Sequence, residues 1–384
     1  MNCFDPTRPQ NGEPRHSASE GGWVILEKPS GMTSRSAGGR VARMFGVKKF
    51  GHLGTLDPMA SGVLPIALGD ATKMIPYIER SKSEERRAQV GSKVKIRTSQ
   101  KNDSYLTPSN SPALCALRSS TSEKEYEFSI RWGIETDTGD ITGKVIRQDT
   151  SAQCPTPSAQ CLVPSAQYPT PSALAAACES LIGEIDQIPP AYSAVHVGGH
   201  RAYELARRGE VVDIPPRRVT IYEVRSTKYD LEKAEFIVKC STGTYVRTLA
   251  QQIADRINRT SYFVNRTFIC TVDMIRRTRT HNFEIKDAVS LDFLENLYNN
   301  AHHAGDESKA GATGVREYLY PVDFGLDDIL VTELNENDAK SFMNGGFIQL
   351  PNGNDKDMRR VYSEGKFIGI GKIENGLLKP KRVI

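Results

Sequence analysis

The chain has 384 residues, 25% of them charged and 38% hydrophobic, with a formal net charge of +4. This length allows two or three domains with a substantial core, and the charged content is ordinary for a globular protein. The seven cysteines are scattered, odd in number and without a C-x-x-C pair, which argues against a secreted disulfide framework and a zinc site. Since there is no membrane-length apolar run and no signal-peptide pattern, we expect a soluble protein of the cytoplasm.

The N-terminal part predicts a tail, a strand and a helix, in that order. Residues 1–20 are polar and contain proline, which predicts a disordered tail. The apolar run Trp23–Leu26 predicts a short strand. The sequence KPSGMTS at 28–34 predicts a turn, and the helix that follows is expected to be capped by Thr33 or Ser34.

The segment 51–73 reads GHLGTLDPMASGVLPIALGDATK and places the acid Asp57 directly before Pro58. An isolated Asp-Pro pair favours a helix start, with Asp as the cap and Pro in the first helical position. That interpretation does not account for the histidine, the spaced glycines and the Thr-Lys pair around it. The run therefore indicates a functional site at Asp57.

Two segments interrupt the regular patterns and are predicted to be insertions. Residues 79–124 are rich in Ser, Lys and Arg without a sustained period. Residues 151–174 contain the tandem repeat SAQCPTP, SAQCLVP, SAQYPTP, in which a proline in every unit excludes a coiled coil and predicts an extended linker. Between them, apolar residues alternate over Tyr126–Trp132, which predicts a half-buried strand with Tyr126 on its inner face.

The middle of the chain predicts further strands and helices with a basic surface. Helices are expected over Ala175–Gly183 and Arg201–Arg208. An alternating strand is expected at 236–240, and the segment 241–257 is expected to turn from this strand into a helix. Residues 190–280 hold 16 Lys/Arg against 9 Asp/Glu, an excess of seven that is larger than that of the whole chain. Clustered positive charge suits a polyanionic partner, although a solvated basic face is equally compatible with it.

The C-terminal part predicts a small β domain. Residues 296–318 are polar and rich in Gly and Ala, which predicts a linker, and short apolar runs follow from Tyr320. Hairpin turns are expected at 363–365 and 374–376. We therefore divide the chain into a tail, a catalytic domain over 21–295, a linker and a β domain over 319–384.

Several motifs in a fixed order make the chain resemble the bacterial TruB family of tRNA pseudouridine synthases. They are KPSGMTS (28–34), GHLGTLDPMASGVLP (51–65), KEYEF (124–128), GIETDTGDITG (133–143), IPPAYSAVHVGGHRAYELARRG (188–209) and STGTYVRTLAQ (241–251). The resemblance implies an α+β pseudouridine synthase fold, with a central mixed, mostly antiparallel sheet flanked by helices. It also implies a small C-terminal PUA-like β-barrel.

The activity that the resemblance implies is isomerisation of uridine 55 in the tRNA T-loop. Uracil is detached from ribose at N1, turned, and rejoined through C5, so substrate and product are isomers and no cofactor is needed. In agreement, the sequence has no dinucleotide or Walker motif and no His/Cys cluster with metal spacing. The implied partner is the T-arm of tRNA. We expect a monomer with no membrane association and no obligatory protein partner.

The resemblance also implies three catalytic residues. Asp57 aligns with the family's nucleophile, which attacks the sugar or the base. Arg247 aligns with the arginine that pairs with this aspartate, and a cation is what keeps a buried carboxylate ionised. A surface arginine at a helix start is the alternative for Arg247. Tyr126 aligns with the tyrosine that stacks on the target base and helps remove the C5 proton, while its strand pattern is also compatible with core packing.

The remaining candidates are implied to bind the RNA. His52 aligns with the histidine that takes the space of the flipped nucleotide, although a lone His is more often structural. Tyr245 is expected to shape the pocket, and Ile275 to form an apolar wall where many relatives have leucine. The candidate phosphate contacts are Arg201, Arg207, Arg208, Arg217 and Arg218.

Three alternatives compete with this function. A non-catalytic RNA-binding protein or tRNA-folding chaperone of the same fold predicts loss of Asp57 or Arg247, and both are present. A glycoside hydrolase requires two carboxylates at the bond, and only one stands in a motif. A guide-RNA-dependent relative is disfavoured because the appended domain is small and no Lys-rich terminal tail is present.

Overall fold

The computed structural model describes residues 21–80, 123–148, 169–230, 232–260, 267–303, 314–350 and 357–384. These residues form two compact units. The first unit takes its residues from 1–57, 63–121 and 281–384, and the second from 58–62 and 122–280. The predicted tail at 1–20 and most of the two predicted insertions lie outside the described residues.

The principal α-helices and the strands of the described residues are numbered in chain order. The helices are α1 (Ser34–Met44), α2 (Ile75–Arg80), α3 (Pro171–Glu179), α4 (Ala202–Arg207), α5 (Val246–Thr260), α6 (Leu291–His303) and α7 (Glu336–Met343). The strands up to residue 201 are β1 (Gly21–Lys28), β2 (Phe50–His52), β3 (Ser61–Gly69), β4 (Glu123–Trp132), β5 (Ile134–Thr136), β6 (Val145–Gln148), β7 (Gly183–Gln187), β8 (His196–Val197) and β9 (His200–Arg201). The later strands are β10 (Arg217–Tyr229), β11 (Lys233–Ser241), β12 (Cys270–Thr280), β13 (Phe283–Glu284), β14 (Val289–Ser290), β15 (Leu330–Glu333), β16 (Ile348–Gln349), β17 (Met358–Ser363), β18 (Lys366–Glu374) and β19 (Leu377–Val383).

The start of the first unit follows the sequence closely. The predicted strand at Trp23–Leu26 is the centre of β1, which is buried along nearly its whole length. Thr33 is the residue that caps α1, because its side chain accepts a hydrogen bond from the Ser36 amide. In the turn between β1 and α1, the fully buried Lys28 Nζ donates to two backbone carbonyls, at 2.8 Å to Pro29 and at 2.6 Å to Met32.

The first unit also contains the C-terminal β structure. Five strands lie in the order β15-β17-β18-β19-β16, and only the pair β15 and β17 is parallel. Both predicted hairpin turns are present, and they place Glu364-Gly365 and Asn375-Gly376 at positive φ. Elsewhere in this unit, Trp23 packs against Phe283 with ring centroids 5.3 Å apart, and its indole N–H donates to the Val322 carbonyl.

The second unit is built on an antiparallel sheet in the order β12-β4-β11-β10-β7. The predicted alternation in β4 is confirmed, since Tyr126, Phe128, Ile130 and Trp132 are all buried. The rings of Phe128 and Phe236, which are cross-strand partners, stack with centroids 4.9 Å apart. The face of β4 that carries Tyr126 is therefore also a packed face of the sheet.

One glycine of the GVLP sequence has a clear steric reason. Gly62 pairs in parallel with Arg277 at the start of β3 and has φ +100°. A Cβ at this position would lie 2.2 Å from the Arg277 carbonyl oxygen and 2.7 Å from its amide nitrogen. Only glycine allows the two backbones to come this close.

Helix α5 places Arg247 in the second unit. The predicted apolar stripe of Leu249, Ile253 and Ile257 is fully buried. The helix begins at Val246, so that Arg247 is its second residue. Arg247 is only 4% exposed, which rules out the surface position that a helix start would otherwise favour.

The structure differs from the sequence-based expectations in four places. The ends of the predicted irregular insertion at 79–124 are regular, since residues 79–80 end α2 and residues 123–124 begin β4. Helix α3 covers Pro171–Glu179 and is capped by Thr170, whereas Gly183 already belongs to a strand. The end of the repeat at 171–174 is therefore helical rather than extended, because proline is well tolerated in the first helical turn. Residues 296–303, predicted as the beginning of a linker, are the last turns of α6.

The predicted fold class is confirmed. The strands of the two units are mixed in direction and mostly antiparallel, and helices accompany them. The sheet β15-β17-β18-β19-β16 forms the predicted small C-terminal β structure. No helix within the described ranges is both long and apolar enough to span a membrane.

Candidate active site

Asp57 lies in the first unit, in the irregular segment between β2 and β3. Its side chain is only partly exposed, and the preceding Leu56 is buried. The hydroxyl group of Ser34 accepts a hydrogen bond from the Leu56 amide at 2.9 Å and donates to the Leu56 carbonyl at 3.0 Å. The backbone next to the predicted nucleophile is thus attached to the start of α1.

His52 is the last residue of β2, where it pairs with Ile66 of β3 in an antiparallel register. It precedes Asp57 by five residues and belongs to the same unit. The histidine is partly exposed, so an interaction with RNA is compatible with its position. Its role in taking the space of the flipped nucleotide stays a prediction.

Tyr126 and Ile275 lie on one face of the second unit. Ile275 is the cross-strand partner of Phe128, and Arg277 is the partner of Tyr126, so these side chains project from the same face of the sheet. Tyr126 is 7% exposed and Ile275 is 4% exposed. The predicted apolar wall and the predicted stacking tyrosine are therefore neighbours on adjacent strands.

Arg277 supports Tyr126 from the opposite strand and was not identified from the sequence. The arginine is completely buried, and it interacts with the Tyr126 hydroxyl through a side-chain hydrogen bond. Burial lowers the pKa of Arg277, while the hydrogen bond and the charge interaction with Tyr126 act in the opposite direction. A fixed partner of this kind restricts the orientation of the tyrosine hydroxyl.

Arg247 is held by several oxygen atoms of the second unit. Its Nη1 donates to the Thr138 carbonyl and its Nη2 to the Tyr192 carbonyl, both at 2.9 Å. Its Nη1 also lies 3.5 Å from Oδ2 of Asp140, with both side chains at least nine-tenths buried. The guanidinium is therefore fixed in position and balanced by a buried carboxylate.

Asp140 is the functional candidate that the sequence reasoning missed. Its Oδ1 accepts hydrogen bonds from the Thr138 hydroxyl at 3.1 Å and the Thr142 amide at 3.0 Å. The loop that carries it is anchored on β12 through backbone hydrogen bonds between Gly139, Ile141 and Val272. The motif GIETDTGDITG contained the signal, but its Asp, Thr and Gly residues are equally typical of a turn.

Tyr245 and Arg217 form a second group near the start of α5. The Tyr245 amide donates to Oε1 of the fully buried Gln187 at 3.0 Å. The Arg217 guanidinium lies 5.4 Å from the centroid of the Tyr245 ring, within the range of a cation–π interaction. The backbone of Tyr245 is therefore held by Gln187, and its ring is in contact with the Arg217 guanidinium.

The guanidinium groups of the other candidate arginines differ in their contacts with acidic, aromatic and backbone groups of the protein. The guanidinium of Arg207 lies 5.5 Å from the Tyr203 ring centroid, and that of Arg208 lies 3.9 Å from Glu210. Arg201 donates to the Ala194 carbonyl at 2.6 Å. Arg218 has two acidic neighbours, Asp186 at 3.1 Å and Glu184 at 3.9 Å. The charge of Arg218 is therefore the one most compensated by acids.

No group of three or more His, Cys, Asp or Glu side chains that could hold a metal ion occurs among the described residues. The three cysteines in these ranges, Cys178, Cys240 and Cys270, are buried free thiols. Burial raises the pKa of Cys178 to about 11 and that of Cys240 to about 12. Such thiols are poor nucleophiles at neutral pH.

The chain matches two family models. One is described as the N-terminal domain of TruB family pseudouridylate synthase and matches residues 42–112 and 114–246. The other is described as the C-terminal part of pseudouridine synthase II TruB and matches residues 331–384. The first match includes Asp57, Tyr126 and Asp140 and ends one residue before Arg247.

Curated relatives called tRNA pseudouridine synthase B are similar over almost the whole chain. The relative from Nitrobacter winogradskyi is 32% identical over 381 residues, which cover 98% of this chain and 86% of the relative. The relative from Bradyrhizobium diazoefficiens is 33% identical over 367 residues, which cover 94% of this chain and 85% of the relative.

Two solved structures share the fold at low sequence identity. One is a chain of an H/ACA ribonucleoprotein bound to a substrate RNA containing 2'-deoxyuridine, with a TM-score of 0.56, 16% identity, and coverage of 99% of this chain and 90% of that chain. The other, from a Cbf5-Nop10-Gar1 complex, has a TM-score of 0.57, 16% identity and the same coverage. Together with the family matches and the curated relatives, these similarities show that the chain belongs to the TruB family of tRNA pseudouridine synthases, which are isomerases.

Proposed function

We propose that the chain converts uridine 55 in the T-loop of tRNA to pseudouridine, with Asp57 as the nucleophile. The observation that carries this proposal is the position of Asp57 in the GHLGTLDP run, inside the region matched by the family model. The two hydrogen bonds between the Ser34 hydroxyl and the Leu56 backbone support it, because a nucleophile must be held in a defined geometry.

The proposed reaction breaks the bond between N1 of uracil and the ribose and forms a bond from C5 to the same carbon. One proton leaves C5 and one is taken up at N1, so that substrate and product have the same atoms. Asp57 supplies the attacking carboxylate oxygen, on the sugar or on the base, and is released in its original form. The atoms of the reaction therefore balance without a cofactor.

The residues of the second unit complete the proposal. Tyr126 is proposed to stack on the target base and to help remove the C5 proton, with its hydroxyl oriented by Arg277. Ile275 provides the apolar wall beside it, and Arg247 the positive charge that keeps the Asp57 carboxylate ionised. Tyr245 is proposed to shape the pocket.

The partner in this proposal is the T-arm of tRNA. We propose that His52 takes the space of the flipped nucleotide and that five arginines contact phosphates. These are Arg201, Arg207, Arg208, Arg217 and Arg218. The proposal includes a monomer that acts in the cytoplasm without an obligatory protein partner. It also keeps the domain division predicted from the sequence, with a catalytic domain over 21–295 and a β domain over 319–384.

Replacing Arg207 and Arg208 together by alanine is expected to weaken tRNA binding and to flatten its salt dependence. Each phosphate contact releases counterions when the RNA binds. Loss of these contacts should therefore make the negative slope of log K against log salt concentration less steep by about one to two. Arg225→Ala is a matched control, because Arg225 is an exposed arginine paired with Glu223 and is not a candidate contact. An unchanged slope in the double variant would exclude this pair from the RNA interface.

The choice of uridine 55 is tested by mapping pseudouridine in a tRNA transcript. Wild-type enzyme should modify position 55, and a transcript with cytidine at that position should gain no pseudouridine anywhere. Both transcripts should bind with similar affinity, because phosphate contacts do not depend on the target base. Modification at another uridine would contradict the assignment of the site while leaving the family unchanged.

A further inference from the structure

The hydroxyl group of Ser34 has a role that its place in the helix does not require. Ser34 is the first residue of α1, but the cap of this helix is Thr33, whose side chain already accepts the Ser36 amide at 3.1 Å. The Ser34 hydroxyl instead makes both of its hydrogen bonds to Leu56, which is 22 residues further along the chain.

These hydrogen bonds satisfy buried polar groups in an irregular segment. Ser34 is 2% exposed and Leu56 is 4% exposed, and the segment from Gly54 to Asp57 is neither helix nor strand. Buried backbone groups require partners, and a serine hydroxyl can donate and accept at the same time. One side chain therefore holds both the amide and the carbonyl of Leu56.

The consequence for Asp57 follows from covalent geometry. The Leu56 carbonyl belongs to the planar peptide group that also contains the Asp57 amide, so a hydrogen bond to that carbonyl restricts the orientation of the whole group. On the other side of Asp57, the ring of Pro58 restricts the preceding residue to extended conformations. The backbone of Asp57 is limited from both directions.

The position of Ser34 is itself fixed from the preceding turn. The buried Lys28 Nζ donates to the carbonyl groups of Pro29 and Met32, which closes the turn just before α1. The Lys28 contacts hold the KPSGMTS turn together, and the two Ser34 hydrogen bonds then join this turn to the segment that carries Asp57; all of them lie within the first unit.

We propose that Ser34 is a positioning residue for Asp57, which it holds in a reactive geometry through the two hydrogen bonds to Leu56. This inference rests on the proposed function of Asp57 as the nucleophile. Without the hydroxyl, the Leu56–Asp57 peptide group loses the hydrogen bond that restricts its orientation, and the carboxylate spends less time in the attacking orientation. A displacement of about 1 Å is enough to lower a reaction rate on the order of 100-fold.

The test compares Ser34→Ala and Ser34→Cys with the neighbouring Thr33→Ala. The single-turnover rate constant, the Kd for tRNA and the Tm are measured for each full-length variant. Ser34→Ala should react about 10- to 100-fold more slowly with a Kd within about twofold of wild type. Ser34→Cys should be intermediate, since a thiol is a weaker hydrogen-bonding group. Thr33→Ala loses a helix cap and should have a lower Tm with an unchanged rate.

The outcomes separate positioning from stability. A Ser34→Ala rate within about twofold of wild type would overturn the inference, and so would an equal loss of rate in Thr33→Ala at a similar Tm. If Ser34→Ala does not fold, a wild-type rate in Ser34→Cys would overturn it. Asp57→Asn is measured in parallel: an active Asp57→Asn enzyme defeats the proposed function, whereas an inactive one beside a fully active Ser34→Ala defeats this inference alone.

Discussion

Replacing Asp57 by asparagine is expected to abolish pseudouridine formation while the affinity for tRNA stays close to that of wild type. The amide has the shape of the carboxylate but lacks the nucleophilic oxygen that the proposed reaction requires. The substitution leaves the Ser34–Leu56 hydrogen bonds in place, because they involve only the serine hydroxyl and the leucine backbone. Nucleoside analysis after a single turnover and a filter-binding titration measure the two effects.

Asp70→Asn is the matched control for this substitution. Asp70 lies in the same unit and is partly exposed, and its carboxylate pairs with Lys73 at 2.8 Å. Because a partly exposed ion pair contributes little to stability, the control should keep full activity. An Asp57→Asn enzyme that retains activity within about tenfold of wild type would contradict the nucleophile assignment. Correct positioning of the substrate alone cannot substitute for the missing nucleophilic oxygen.

Arg247→Met is expected to lose both stability and activity. The substitution leaves the Asp140 carboxylate buried without its arginine, and breaking a buried ion pair in this way costs about 3–5 kcal/mol of unfolding free energy. It also removes the positive charge proposed to keep Asp57 ionised, which is expected to lower the rate by about 100-fold or more. Chemical denaturation and single-turnover kinetics report the two losses.

The double variant Arg247→Met with Asp140→Asn separates the two roles of the arginine. Neutralising the aspartate removes the uncompensated charge, so much of the lost unfolding free energy should return. Activity should not return, because the guanidinium is still absent. If the double variant recovers both stability and activity, Arg247 has only a structural role.

Much of the fold was predictable because it depends on local patterns. The strand at Tyr126–Trp132 follows from period-two alternation, and the apolar stripe of α5 follows from a helical period. The sequence misplaces helix α3, because its first residue, Pro171, belongs to a Pro-bearing repeat, and proline inside a helix ordinarily breaks it. In the structure this proline occupies the first helical position behind the Thr170 cap.

The sequence identifies only those residues of the candidate site whose role is indicated by a motif. Asp57 and Arg247 came from motifs, but the partner of Arg247 in the second unit, Asp140, is 107 positions away in sequence, and no local pattern joins the two. The sequence allows Thr33 or Ser34 as the helix cap; in the structure Thr33 takes that role and Ser34 binds Leu56. Arg277 was missed because only the register of β4 and β12 brings it opposite Tyr126.

Tritium release from a T-arm minihelix tests the central claim most directly. The RNA carries a single uridine, labelled with tritium at C5 and placed at position 55, so any release reports loss of the C5 proton at that base. Wild-type enzyme should release the label completely within one turnover, and Asp57→Asn should release none while binding the same amount of RNA. Release by Asp57→Asn, or bound RNA without release by the wild type, would contradict the proposal that Asp57 drives this isomerisation.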